Sequence, residues 1–206
     1  MVQIASGHFV VGSDAPDDTH SAAHMIDLAS FWIDKYEVTN TQYKAFLDAT
    51  GRTTPASWRA GNFPTGHDQH PAAGLTWNDA ATYCAWTNKR LPSETEWEVA
   101  GRGPGTTSPL YPWGFDPTAG GKTGDLPERD TYPAGSMAFN VSPFGVYDMV
   151  GSVWQWVDAP YAPTPPGNKL LRGGRYGLIE DLAFRQAAQP DDQRFARVAG
   201  VRCATN

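Results

Sequence analysis

The sequence predicts a loop-rich domain of short helices and short strands, on three observations. Gly 21, Pro 17 and Trp 8 are high for 206 residues, a composition that fixes many turns and pins them with large aromatic anchors. Three helix starts of one kind fall in the first half. Beyond Gly101, Gly-Pro-Gly at 103 to 105, Pro-Trp-Gly at 112 to 114 and Gly-Gly at 120 to 121 break the chain into pieces too short for long helices.

Each helix start pairs a hydroxyl cap with a side chain three places on that can reach back to it. Thr39 with Gln42 opens the first, whose Tyr43, Phe46 and Leu47 share a face and whose end is set by Gly51. Thr76 with Asp79 opens the second, with Trp77, Ala80, Ala81 and Cys84 along one stripe, and Pro92 closes that tract. Ser93 with Glu96 opens the third, centred on Trp97 and expected to halt near Gly101. Phe31-Trp32-Ile33, Val146 to Val150 and Leu170-Leu171 are candidate strands. No composition shift divides the chain, so residues 1–206 are read as one domain.

Composition also excludes functions. Hydrophobic residues are 40% and charged residues 18%, which predicts a soluble globular protein. A net charge of -6, with no basic run longer than Lys89-Arg90, argues against nucleic acid as a partner. No tract has the roughly 20 apolar residues of a spanning helix, and Met1 to Asp14 lacks the features of a signal peptide. Membrane insertion is not expected. His20 and His24 have the i, i+4 spacing of two metal ligands on a helix, but Pro16 and Asp17-Asp18 precede them and no third ligand is evident.

Read in order, Gly12-Ser13-Asp14, Tyr36 to Asn40, His70-Pro71, Trp77 to Ala80, Lys89 to Glu98, Tyr111 to Gly114, Tyr147 to Trp156, Arg172-Gly173-Gly174 and Gly200 to Cys203 run nearly end to end. That ordered set resembles the formylglycine-generating, or sulfatase-modifying factor, family. The resemblance implies an α+β fold, loop-rich, with a C-type-lectin-like core and little regular secondary structure. It makes Trp97 and Trp156 core anchors and Lys89 to Glu98 a tight helix junction. It places Cys84 and Cys203 at the positions of a family disulfide, against the alternative of two buried thiols in a reducing compartment. Such a bridge favours an oxidising compartment.

Members that make formylglycine hold copper with two cysteines after the Gly-Gly, because soft thiolates select Cu(I). Here the segment from Gly173 to Arg185 has no cysteine, and the ligand positions fall on Leu178 and Ala183. Copper is therefore not expected. The resemblance further implies a Ca²⁺ site at Asp148, the carbonyls of Gly151 and Val153, and Gln155, the last replacing a glutamate and lowering affinity. Gly120-Gly121-Lys122 stands where a second calcium loop would be, and the lysine argues against it.

Two classes of function follow. A binding module would use a C-terminal groove lined by Trp154, Arg175, Tyr176, Leu178, Glu180 and Asp181 to take a protein or small molecule, with Arg175 reaching an acid, Glu180 and Asp181 being nearest in sequence, or water. Arg172 to Ala204 also resembles the tract that retroelements diversify in proteins of this fold. Alternatively, a copper-independent enzyme would use Glu180 or Asp181 as general acid or base.

Overall fold

The computed structural model describes residues 1–118, 130–160, 167–195 and 197–206. All three helices begin at the expected caps. Helix α1 spans Asn40–Thr50, α2 Trp77–Trp86 and α3 Glu94–Arg102, each with a complete capping box from Thr39, Thr76 and Ser93. Gly51 ends α1 in the left-handed conformation at φ 67. Helix α3 ends at Arg102, beside Gly101 as expected, with Gly103 as its cap. Gly101 itself answers to packing: a Cβ there would lie 2.5 Å from Leu182 Cδ2, so this glycine makes room for a core leucine.

The strands are short. They run β1 Val2–Ile4, β2 Gly7–Val11, β3 His24–Leu28, β4 Phe31–Ile33, β5 Trp154–Pro160, β6 Lys169–Arg172, β7 Gly174–Arg175, β8 Leu178–Ile179, β9 Gln186–Ala188, β10 Ala199–Gly200 and β11 Ala204–Thr205. They form a three-stranded sheet β1-β4-β11, a four-stranded sheet β10-β5-β6-β9 and the hairpins β2-β3 and β7-β8. Val146 to Val150, a candidate strand, is not one. Asp148, Gly151 and Ser152 take positive φ of 58, 72 and 61, which curls the chain there instead of extending it.

Two apolar clusters fill the interior. One gathers Tyr43, Phe46, Tyr83 and Trp156 between α1, α2 and β5; the other gathers Phe31, Ile33, Trp97, Met149 and Leu170. Trp97 and Trp156 are fully buried anchors, and each indole N–H has a partner: Gln155 Oε1 at 2.8 Å and Leu75 O at 2.8 Å. Cys84 and Cys203 are joined, with Cα atoms 5.6 Å apart. The bridge ties α2 to the chain between β10 and β11 across a separation of 119 residues. Among the described residues no helix is long and apolar enough to cross a membrane.

Candidate functional site

The Gly173-Gly174 step turns the chain from β6 into the β7-β8 hairpin, which pairs Gly174 with Ile179 and Arg175 with Leu178. Tyr176 is fixed at its tip by donating its N–H to Ser152 O at 2.9 Å. Arg175 does not reach Glu180 or Asp181. Its Nη1 donates to Tyr176 O at 2.7 Å and its guanidinium lies 5.6 Å from the Tyr176 ring centre, so it folds back over its neighbour. Trp154 does not line a groove either. It is 3% exposed and packs against Phe184 and Phe195, because its strand position faces the core. Leu178 is 40% exposed while Ala183 is fully buried, so the expected copper positions differ in exposure and carry only aliphatic carbon.

Glu180 and Asp181 belong to a second cluster. Asp181 Oδ1 accepts the N–H groups of Ala183 and Phe184 at 2.7 and 3.0 Å, and its Oδ2 lies 3.2 Å from His20 Nε2. His20 Nδ1 lies 2.9 Å from Asp17 Oδ1, and its ring edge meets Phe184. Burial, then the adjacent Asp181 charge, pushes the Glu180 carboxyl up. Tyr111 is raised by burial and then by the same two acids. His20 and His24 do not share a helix: His24 opens β3, where its Nδ1 pairs with Ala22 O at 2.8 Å.

Tyr176 instead faces a pocket of about 170 Å³ shared with Asn40, Trp58, His67, Asp130 and Arg197. Trp58 Nε1 donates to Asn40 Oδ1 at 3.2 Å, and Asn40 Nδ2 donates to His67 O at 2.9 Å, so the start of α1 holds this wall in place. Sequence reading missed Trp58, His67, Asp130 and Arg197. The His67-x-x-His70 spacing was a visible signal; the approach of Asp130, 63 residues from His67, was not.

The calcium set can be tested against its donors. Asp148 is buried at the centre of a network in which its Oδ2 accepts the Gly135 N–H at 2.6 Å and its Oδ1 has no partner. Burial raises Asp148 to about 6, and burial followed by the Asp148 charge raises Glu37 to about 8. Gln155, however, spends its oxygen on Trp97 Nε1 and Arg202 Nε, while its amide nitrogen donates to Glu37 Oε1 and Asp148 O. The Arg202 guanidinium donates to Tyr147 O at 2.6 Å and to Asp148 O at 3.2 Å. With the Gln155 oxygen committed, Asp148 Oδ1 and the carbonyls of Gly151 and Val153 are fewer than the six or more oxygens that a hard cation seeks, and the Arg202 guanidinium stands beside them. In this arrangement all of the Gln155 amide's hydrogen bonds go to protein groups. Gly120-Gly121-Lys122 lies outside the described residues.

Residues 1–206 match the family of the sulfatase-modifying factor enzyme 1-like domain. The chain belongs to this sulfatase-modifying factor family. It is 32% identical to the formylglycine-generating enzyme of Thermomonospora curvata, covering 100% of this chain and 93% of that one. It is 29% identical to the inactive C-alpha-formylglycine-generating enzyme 2 of Mus musculus, covering 100% and 85%. The structure of PvdO from Pseudomonas aeruginosa superposes with a TM-score of 0.76 at 26% identity, covering 99% and 93%. The sulfatase-modifying factor family therefore accounts for the α+β, loop-rich architecture, and its relatives include both an enzyme and a protein described as inactive.

Proposed function

We propose that the chain is a member of the sulfatase-modifying factor family that does not generate formylglycine, and that it binds a protein or small molecule at the surface around Tyr176. One observation carries the first half. The chain has two cysteines, and both sulfurs are consumed by the buried Cys84–Cys203 bridge. No thiolate pair is left to select Cu(I). Support for the second half is the pocket itself, where half-buried Tyr176 offers a rigid aromatic ring against a wall backed by the buried Trp58, and Arg197 and Leu178 are exposed.

Two measurements test it. The chain is incubated with copper and a Cys-x-Pro-x-Arg peptide, and mass spectrometry looks for conversion of cysteine to aldehyde; conversion above a metal-free blank rejects the reading. Immobilised chain is then panned against a displayed random-peptide library beside its Tyr176→Ala variant. Enrichment lost in the variant supports the surface, and equal retention or no enrichment rejects it.

A second reading, a copper-independent enzyme, has its own observation. The raised Glu180 carboxyl beside Asp181, His20 and Tyr111 is a group of titratable side chains suited to moving a proton. A ligand recovered chemically altered, with Glu180→Gln abolishing the change, would favour it over simple capture.

A further inference from the structure

His67, His70 and Asp130 each offer one ligand atom, and these three atoms lie within 4.8 Å of one another. The two imidazole rings are 4.1 Å apart between centroids and tilted by 42°. They are held there by a turn in which the His70 N–H donates to His67 O at 3.1 Å, and by α1, whose Asn40 N–H donates to His70 O at 2.9 Å. In both rings Nδ1 is turned to a protein oxygen: Thr65 O at 3.3 Å for His67 and Thr131 Oγ1 at 2.8 Å for His70. With Nδ1 as the donor in each ring, Nε2 carries the lone pair, and His67 Nε2 already lies 3.0 Å from Asp130 Oδ2. An imidazole fixed through one nitrogen by an outer oxygen is the arrangement that orients histidine for a metal.

We propose that His67, His70 and Asp130 form a binding site for one divalent transition-metal ion of the zinc class, at the wall of the Tyr176 pocket. Two nitrogens and one carboxylate are a borderline donor set, too poor in oxygen for calcium. Three protein ligands leave a coordination position for solvent or a donor group of a pocket ligand. The site does not depend on the binding reading above, because it is tested with metal alone.

The 206-residue chain, stripped with EDTA and transferred to chelator-free buffer, is titrated with zinc chloride by calorimetry and with cobalt(II) chloride by visible absorbance. The expected result is one equivalent of ion, with affinity weakened by more than about tenfold in His67→Ala, in His70→Ala and in the exposed Asp130→Asn. A His24→Ala control should bind as the parent does. Circular dichroism melts establish that each variant is folded, and Asp130→Asn carries the test if a histidine variant is not. Absence of binding to the parent, or affinity unchanged in the folded variants, overturns the proposal.

Discussion

Arg172 Nη2 lies 2.6 Å from Glu98 Oε2, with both side chains shut away from solvent, so that strand β6 is joined to helix α3 by a buried ion pair. Neither residue is alone: Glu98 also holds Arg102 at 2.8 Å and accepts the Gly12 N–H at 2.6 Å, and Arg172 also reaches Glu94 at 2.7 Å. Removing one partner strands buried charge. Glu98→Ala should therefore cost about 3–5 kcal/mol, read as the shift of the urea midpoint; a loss below about 1 kcal/mol, the scale of an exposed pair, would contradict this account.

The same carboxylate predicts a pH dependence. Burial alone would raise Glu98, but Arg172 and Arg102 outweigh it and hold the carboxyl below its usual 4.5. A folded value below the unfolded one means that its stabilisation is full above pH 4.5 and is lost as the pH falls through the folded value. The stability gap between parent and Glu98→Gln should accordingly narrow as the solution is taken below pH 4.5. Melting curves of the two proteins across pH 3 to 7 check it, and a gap that widens in acid would reverse the sign.

The bridge between Cys84 and Cys203 closes a loop of 119 residues. In the chain-entropy argument, Cys84→Ala with Cys203→Ala should cost about 3–5 kcal/mol. Intact mass with and without reductant should show loss of two hydrogens in the parent. Two thiols reacting with maleimide in the native, unreduced protein would remove the bridge from the account.

Gly105 and Gly173 have nearly the same φ, 89 and 90, yet different surroundings. A Cβ on Gly105 meets nothing within 4 Å, whereas one on Gly173 would sit 2.5 Å from Met149 O and 3.1 Å from the Trp97 ring. Gly173→Ala should be less stable than Gly105→Ala by about 1–3 kcal/mol, the cost of overpacking beyond shared backbone strain. Equal denaturation midpoints would mean that the Arg172-Gly173-Gly174 turn yields easily.

Calcium should leave the protein unmoved. With Gln155 committed and Arg202 donating to Asp148 O, melting temperatures in calcium and in EGTA are expected to coincide. A rise of several degrees on adding calcium would show that the Asp148 network rearranges around the ion.

How much of this was legible depended on distance along the chain. The capping boxes at Thr39, Thr76 and Ser93 were readable because both partners sit within three residues and their chemistry is local. The reason for a glycine at 101 was not, because Gly101 answers to Leu182, far along the chain, and not to its own helix. Arg175 was expected to seek the nearest acids, but the hairpin turn gives it the Tyr176 carbonyl first. Asp181 meets His20 across 161 residues, a pairing no local pattern contains. The bridge was reached through family resemblance, and the geometry of the two sulfurs agrees with it.

Strand β4 sits between β1 and β11, so its second neighbour is made of residues 204 and 205. On a ribosome adding about 5–20 residues per second, β4 waits roughly 10 to 30 s after its own synthesis before that edge is covered. During that interval Trp32 and Ile33 have an unpaired strand edge to offer, the kind of edge that recruits a foreign strand. Yield during synthesis should then be governed by what shields β4 while its partner is still unmade.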